Sequence, residues 1–193
     1  MNGYRIMKCC VVALALMGMA HPAAATTMLF QFEGVVSGSI DGVDFTDEAF
    51  VVTTTADTAD ITSFSDGFSV LNDSATLEFP NLNGGTVLDV VDPTTVNVNT
   101  TVGAVTFGND RTHHDNVLAW DPAFTAWDLT SPIGPITDDD GFLQTPAALQ
   151  TLGGDLRFAD ATAMVTFQAS VVPEPATLVL LLVGGVALMR RRN

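Results

Sequence analysis

At 193 residues the chain is long enough for one domain with a sizeable core and too short for two comfortable ones. It carries 22 acidic against 7 basic residues, and between Thr26 and Val172 the imbalance sharpens: 21 acidic residues face two basic ones, Arg111 and Arg157, a net charge of −19. Such a field excludes nucleic acid and an anionic membrane surface as partners. The only cysteines, Cys9 and Cys10, leave the body without disulfide or thiol chemistry.

The N-terminal residues 1–25 follow the order of a secretory leader. Arg5 and Lys8 supply a basic start, Cys9 to Ala20 form an uncharged apolar run, and Ala23-Ala24-Ala25 puts small residues at both positions of an Ala-x-Ala cleavage site. Ala23 and Ala25 are therefore the expected signal-peptidase site, which places the body outside the cytoplasm. The apolar run follows the two cysteines instead of preceding them, which argues against a lipoprotein.

From Thr26 onward period 2 replaces any long helical period. Phe30, Phe32 and Val36 mark the inner face of a first strand. Ser37-Gly38-Ser39 reads as a turn, and Asp41-Gly42 as a tight hairpin. Phe50 to Thr55 is a β-branched strand, and a strand around Ser63 to Leu71 is interrupted near Asp66-Gly67. Ala75 to Phe79 alternates cleanly and stops at Pro80. Thr86 to Val91, Thr95 to Val98 and Val102 to Phe107 are three further short strands.

The text from Asn109 to Gly154 reads as loop-rich, with short strands at Val117 to Trp120 and Ala126 to Leu129. A brief helix is expected over Pro146 to Leu152, with Thr145 as its cap and Gly153-Gly154 at its end. In the last strand Ala163, Val165, Phe167, Ala169 and Val171 share one face. The expected body, residues 26–171, is therefore all-β: a single β-sandwich or jelly-roll-like domain, flanked by the signal peptide and a C-terminal transmembrane helix.

Three candidate chemistries lie in the body. His113-His114-Asp115 is its histidine cluster, but neighbouring imidazoles on a strand point to opposite faces, so an exposed polar loop is favoured over a metal site. Asp138-Asp139-Asp140-Gly141 offers carboxylates to calcium, with Asp138 and Asp140 the candidate ligands, yet it lacks the spacing of a twelve-residue calcium loop. Trp120 and Trp127, with Phe124 between them, offer an aromatic platform for sugar rings, but core packing or loop anchoring is the favoured reading. No nucleophile elbow, phosphate loop or zinc-protease motif is present. The expectation is a protein that is not an enzyme and needs no cofactor, with calcium as the one exception considered.

The last 23 residues, 171–193, contain three devices in series. Pro173-Glu174-Pro175 cannot continue a helix or a central strand. Residues 176–189 are 14 uncharged, mostly aliphatic residues, and Arg190, Arg191 and Arg192 close the chain as membrane-stop charges. At 1.5 Å per residue the helix spans about 21 Å, short of a hydrocarbon core of about 30 Å, a mismatch that snorkelling arginine stems and local thinning accommodate.

This tripartite end resembles the PEP-CTERM sorting signal of exported bacterial proteins: a Pro-Glu-Pro motif, a hydrophobic helix and a basic tail. The resemblance covers residues 172–193. It implies transient anchoring in the inner membrane with the C-terminus cytoplasmic, and recognition at Pro173-Glu174-Pro175 by an exosortase, a membrane-embedded cysteine transpeptidase-like enzyme that removes the tail. It further implies a place at the cell surface or in the extracellular matrix, structural in kind and associated with exopolysaccharide and biofilm. The alternative is a carbohydrate- or calcium-dependent binding module on the same surface.

Overall fold

A computed structural model describes residues 26–112, 114–144, 147–159 and 161–173. The signal-peptide residues and the tail helix expected over 176–189 lie outside them, and no helix among the described residues is long and apolar enough to cross a membrane. Among the described residues thirteen strands run in chain order. The first six are β1 (Thr27–Ile40), β2 (Val43–Asp57), β3 (Thr62–Phe64), β4 (Gly67–Leu71), β5 (Ser74–Phe79) and β6 (Thr86–Asp89). They are followed by β7 (Thr94–Asn99), β8 (Ala104–Asn109), β9 (His114–Trp120), β10 (Ile133–Leu143), β11 (Leu149–Thr151), β12 (Gly154–Phe158) and β13 (Ala161–Val171).

The all-β expectation holds, but the architecture is not two separately bonded sheets. One antiparallel path, β3-β4-β7-β8-β9-β10-β13-β1-β2-β5-β6, curls into a half-barrel. Its two arms face each other across a shared core, where the Phe32 ring of β1 lies 6.3 Å from that of Phe107 on β8. At one end the strands close a circuit. β6 continues through an isolated bridge, Val90 to Thr151, into β11, which pairs with β12, which pairs with residues 38–40 of β1. Bonds from Val91 N–H to Gln150 O and from Leu152 N–H to Asp89 O make that closure. Continuity follows from long central strands: β1 and β2 are 14 and 15 residues, so each pairs along its length with more than one partner.

Local chemistry explains the elements. Ile40 pairs with Val43 across a two-residue loop whose φ angles, 49° at Asp41 and 80° at Gly42, are the left-handed pair that a hairpin twist requires. Ser37-Gly38-Ser39 is not a turn: β1 runs through it with a register shift between Val36 and Gly38, a bulge that bends the strand. Phe30, Phe32, Phe50, Phe79, Phe107 and Phe167 are all essentially buried, strand alternation turning them to the core, and Phe124 joins them from a connection between strands.

Three expectations in the region 109–154 fail. Ala126 to Leu129 is not a strand; a 3-10 turn over Pro122–Ala126, capped by the Asp121 carboxylate accepting the Ala123 N–H, occupies the place. The helix at Pro146 to Leu152 is replaced by β11, where Leu149 and Thr151 are buried around an exposed Gln150; Thr145 and Pro146 lie outside the described residues. The loop-rich reading also missed β10, whose 11 residues pair with β9 only at Phe142 and Leu143. Much of that strand thus has one free edge, which is where Pro135 and two bulges are tolerated.

Candidate processing site at the end of the last strand

The sorting segment begins on a strand that is still fully seated. β13 pairs with β1 from Val165 opposite Gly34 to Val171 opposite Met28. One residue later the Val172 N–H donates to the Thr27 carbonyl at 2.8 Å. Pro173 follows, exposed and without an amide hydrogen, so the ladder ends there for lack of a donor. On the other side of β13 the strand β10 stops earlier, at Ile133 opposite Ala169. Ser170, Val171 and Val172 are therefore held by β1 alone.

The start of the described chain lies beside this exit. The Thr26 amide donates to the Thr58 hydroxyl at 3.0 Å, and Thr27 opens β1 directly opposite the end of β13. The expected signal-peptidase side and the expected sorting side of the body thus leave from adjacent strands at one end of the sheet. Ala23, Ala25, Glu174, Pro175 and Arg190 to Arg192 lie outside the described residues.

A comparison with protein families matches residues 171–193 to the PEP-CTERM protein-sorting motif. The chain carries a PEP-CTERM sorting motif at its C-terminal end. It is exported and sorted through the exosortase system, with an exosortase as its processing partner. Neither the curated proteins nor the solved structures searched gave a match to this PEP-CTERM chain. The matched segment starts on Val171, the last residue of β13, so the motif and the folded body share a strand end with no spacer between them.

The other predicted site residues are scattered. Trp127 is 4% exposed and belongs to the core: its indole N–H donates to the Ser131 carbonyl at 2.8 Å, and its ring sits 5.4 Å from Phe167 and 6.3 Å from Phe30. Trp120, 41% exposed at the end of β9, stands apart from it. The two tryptophans do not form one sugar platform, because Trp127 has no free face.

Asp138 spends both carboxylate oxygens on backbone amides, Oδ2 on Trp120 N–H at 2.8 Å and Oδ1 on Asp140 N–H at 3.0 Å. Its place is a bulge of β10, between Asp138 and Gly141. Among the described residues no group of three or more His, Cys, Asp or Glu side chains is placed to hold a metal. His114 is exposed on β9, and His113 lies outside the described residues.

Two features escaped the sequence. The first is Asp92, 8% exposed in the β6–β7 loop. Its Oδ2 accepts from Asn109 Nδ2 at 3.0 Å and from Gln150 N–H at 2.9 Å, while Oδ1 lies 3.3 Å from Arg111 Nη1. One carboxylate therefore ties the β8–β9 loop and β11 together.

The second is a trough of about 220 Å³ on the outer face of β4, β7 and β8. Its floor is a fixed polar chain in which Ser69 Oγ donates to Asn97 Oδ1 at 2.6 Å and Asn97 Nδ2 donates to the hydroxyls of Thr95 and Thr106, both at 3.2 Å. Phe64, 46% exposed, forms one wall; His114 and Asp115 lie along the other. A polarity alternation of Thr95, Asn97 and Thr106 against Val96, Val98 and Phe107 was the available signal.

Proposed function

We propose that this PEP-CTERM protein is a non-catalytic component of the cell surface or extracellular matrix, held briefly in the inner membrane by residues 176–189 with Arg190 to Arg192 on the cytoplasmic side, then freed when an exosortase removes the tail. The observation that carries the reading is the junction at Val172. The sheet terminates on the residue before Pro173, and the exit lies beside Thr27, so the sorting motif begins at one end of the folded body. A strongly acidic all-β globule suits a solvated matrix, where like charge keeps copies dispersed. Exopolysaccharide is the partner that the sorting class implies.

Intact-mass measurement of the protein recovered from the cell surface tests the proposal. A species running from Thr26 to near Pro175 is expected; retention of Arg190 to Arg192 would leave a protein that is anchored but never processed.

The binding-module alternative is favoured by the trough. Hydroxyl and amide groups held in fixed orientation beside an exposed aromatic ring are the chemistry that takes an uncharged sugar ring. The site then centres on Phe64 and Asn97, with Trp120 outside it. Pull-down on neutral polysaccharide, with and without calcium, should retain the protein and lose it in Phe64→Ala plus Asn97→Ala; equal retention of both sinks this reading.

A further inference from the structure

We infer that the end of β13 and the residue after it, Ser170 to Val172, form a tongue that peels from β1 before the tail is cut, so that the sorting enzyme engages residues still bonded to the sheet as well as Pro173. The inference rests on the processing reading above. An enzyme that cuts beside Pro-Glu-Pro grips extended backbone on both sides of the bond, and main-chain hydrogen bonds are its means of doing so. Here that grip is contested. Pro173 is the first residue beyond the Val172 N–H bond to Thr27, and no free residue separates the two.

The same geometry shows how far the peeling goes. Ser170 and Val171 are exposed, Val171 by 43%, and β1 is their sole neighbour in the sheet. Strand ends of this kind open at far lower cost than the core. At Ala169 the character changes: it is 4% exposed and clamped between Phe30 on β1 and Ile133 on β10, and Phe167 beyond it is fully buried. Peeling therefore runs from Val172 back to Ser170 and stops. The sheet itself limits the enzyme to the tongue, which protects the body from cuts further in.

A reversible clamp tests this. Met28 and Val171 are directly opposite, and the neighbouring Thr27–Val172 hydrogen bond makes theirs a non-hydrogen-bonded position, the one with the closest Cα atoms and a spacing a disulfide accepts. Full-length chain carrying Met28→Cys plus Val171→Cys, produced together with an exosortase, is followed for loss of the tail by intact mass. When opening precedes cutting, the rate tracks the opened population. The oxidised clamp should slow tail loss about tenfold or more, and reductant should restore it.

A second variant inserts Gly-Ser-Gly-Ser between Val172 and Pro173, beyond the last bond of the sheet, and should restore fast processing even with the clamp closed. Met28→Cys alone serves as the control for lost core packing. Tail loss at the wild-type rate in the oxidised clamp, or no gain from the spacer, overturns the tongue and leaves the processing reading standing. A wild-type chain that keeps its tail overturns both.

Discussion

Asp92 shows how much one side chain can organise without any signature in the sequence. Its partners lie 17 and 58 residues away, so Asp92-Pro93 reads as turn punctuation and nothing more. Replacement by alanine would strand the Gln150 N–H and the Asn109 amide, each at the desolvation cost of an unmet donor, for about 2–4 kcal/mol in total. Arg111 is 69% exposed, and without it the Asp92 carboxylate keeps its hydrogen bonds from Asn109 and Gln150, so Arg111→Ala should cost less. Thermal melts of the two variants check the contrast.

Asp128 gives the complementary case. The Thr130 hydroxyl donates to its Oδ1 at 2.6 Å and, as the largest influence, holds its carboxyl below the usual carboxylate range. The folded state thus favours the ionised form; the contribution is present above the unfolded pKa and is lost as acid carries the pH down through the folded value. In Thr130→Val the Asp128 titration, followed by NMR, should move up toward the ordinary range and the acid-side loss should shrink.

Among the elements, β13 was the most legible and explains why. Its inner residues alternate without interruption, and Val165, Phe167 and Ala169 are buried as that alternation demands. Phe167 is the hub, with ring centroids 4.8 Å from Phe32, 5.6 Å from Phe124 and 5.4 Å from Trp127. Phe167→Ala should cost about 3–5 kcal/mol, read as a fall in the denaturant midpoint.

Asp41-Gly42 was equally legible, since a two-residue hairpin is written in local turn chemistry. β10 was not, because Gly134-Pro135 and three consecutive aspartates are loop vocabulary. Only the strand's free edge, a property of the folded sheet, makes them acceptable there. The strand expected at Ala126 to Leu129 failed for a related reason: periodicity cannot foresee the turn at Pro122–Ala126, which turns Trp127 inward against Phe124.

For the molecule as a whole, routing was readable and architecture only in class. The sorting segment consists of contiguous residues whose physics is local: stiffness, greasiness and charge. The arrangement of the strands depends instead on pairings between distant segments, such as β1 with β13, which no short window contains. The acidic excess was visible from composition, but not that its few cations include Arg111 beside a buried carboxylate.

The junction of Thr27 with Val172 has a topological consequence. β1 spans about 45 Å from that junction to the hairpin at its far pole, where Asp41 and Gly42 are exposed. Splicing Val172 to Thr26 through a short turn, and reopening the backbone between Asp41 and Gly42, would preserve every strand neighbour. The permuted globule would carry its anchor at the opposite pole and hang inverted from the bilayer.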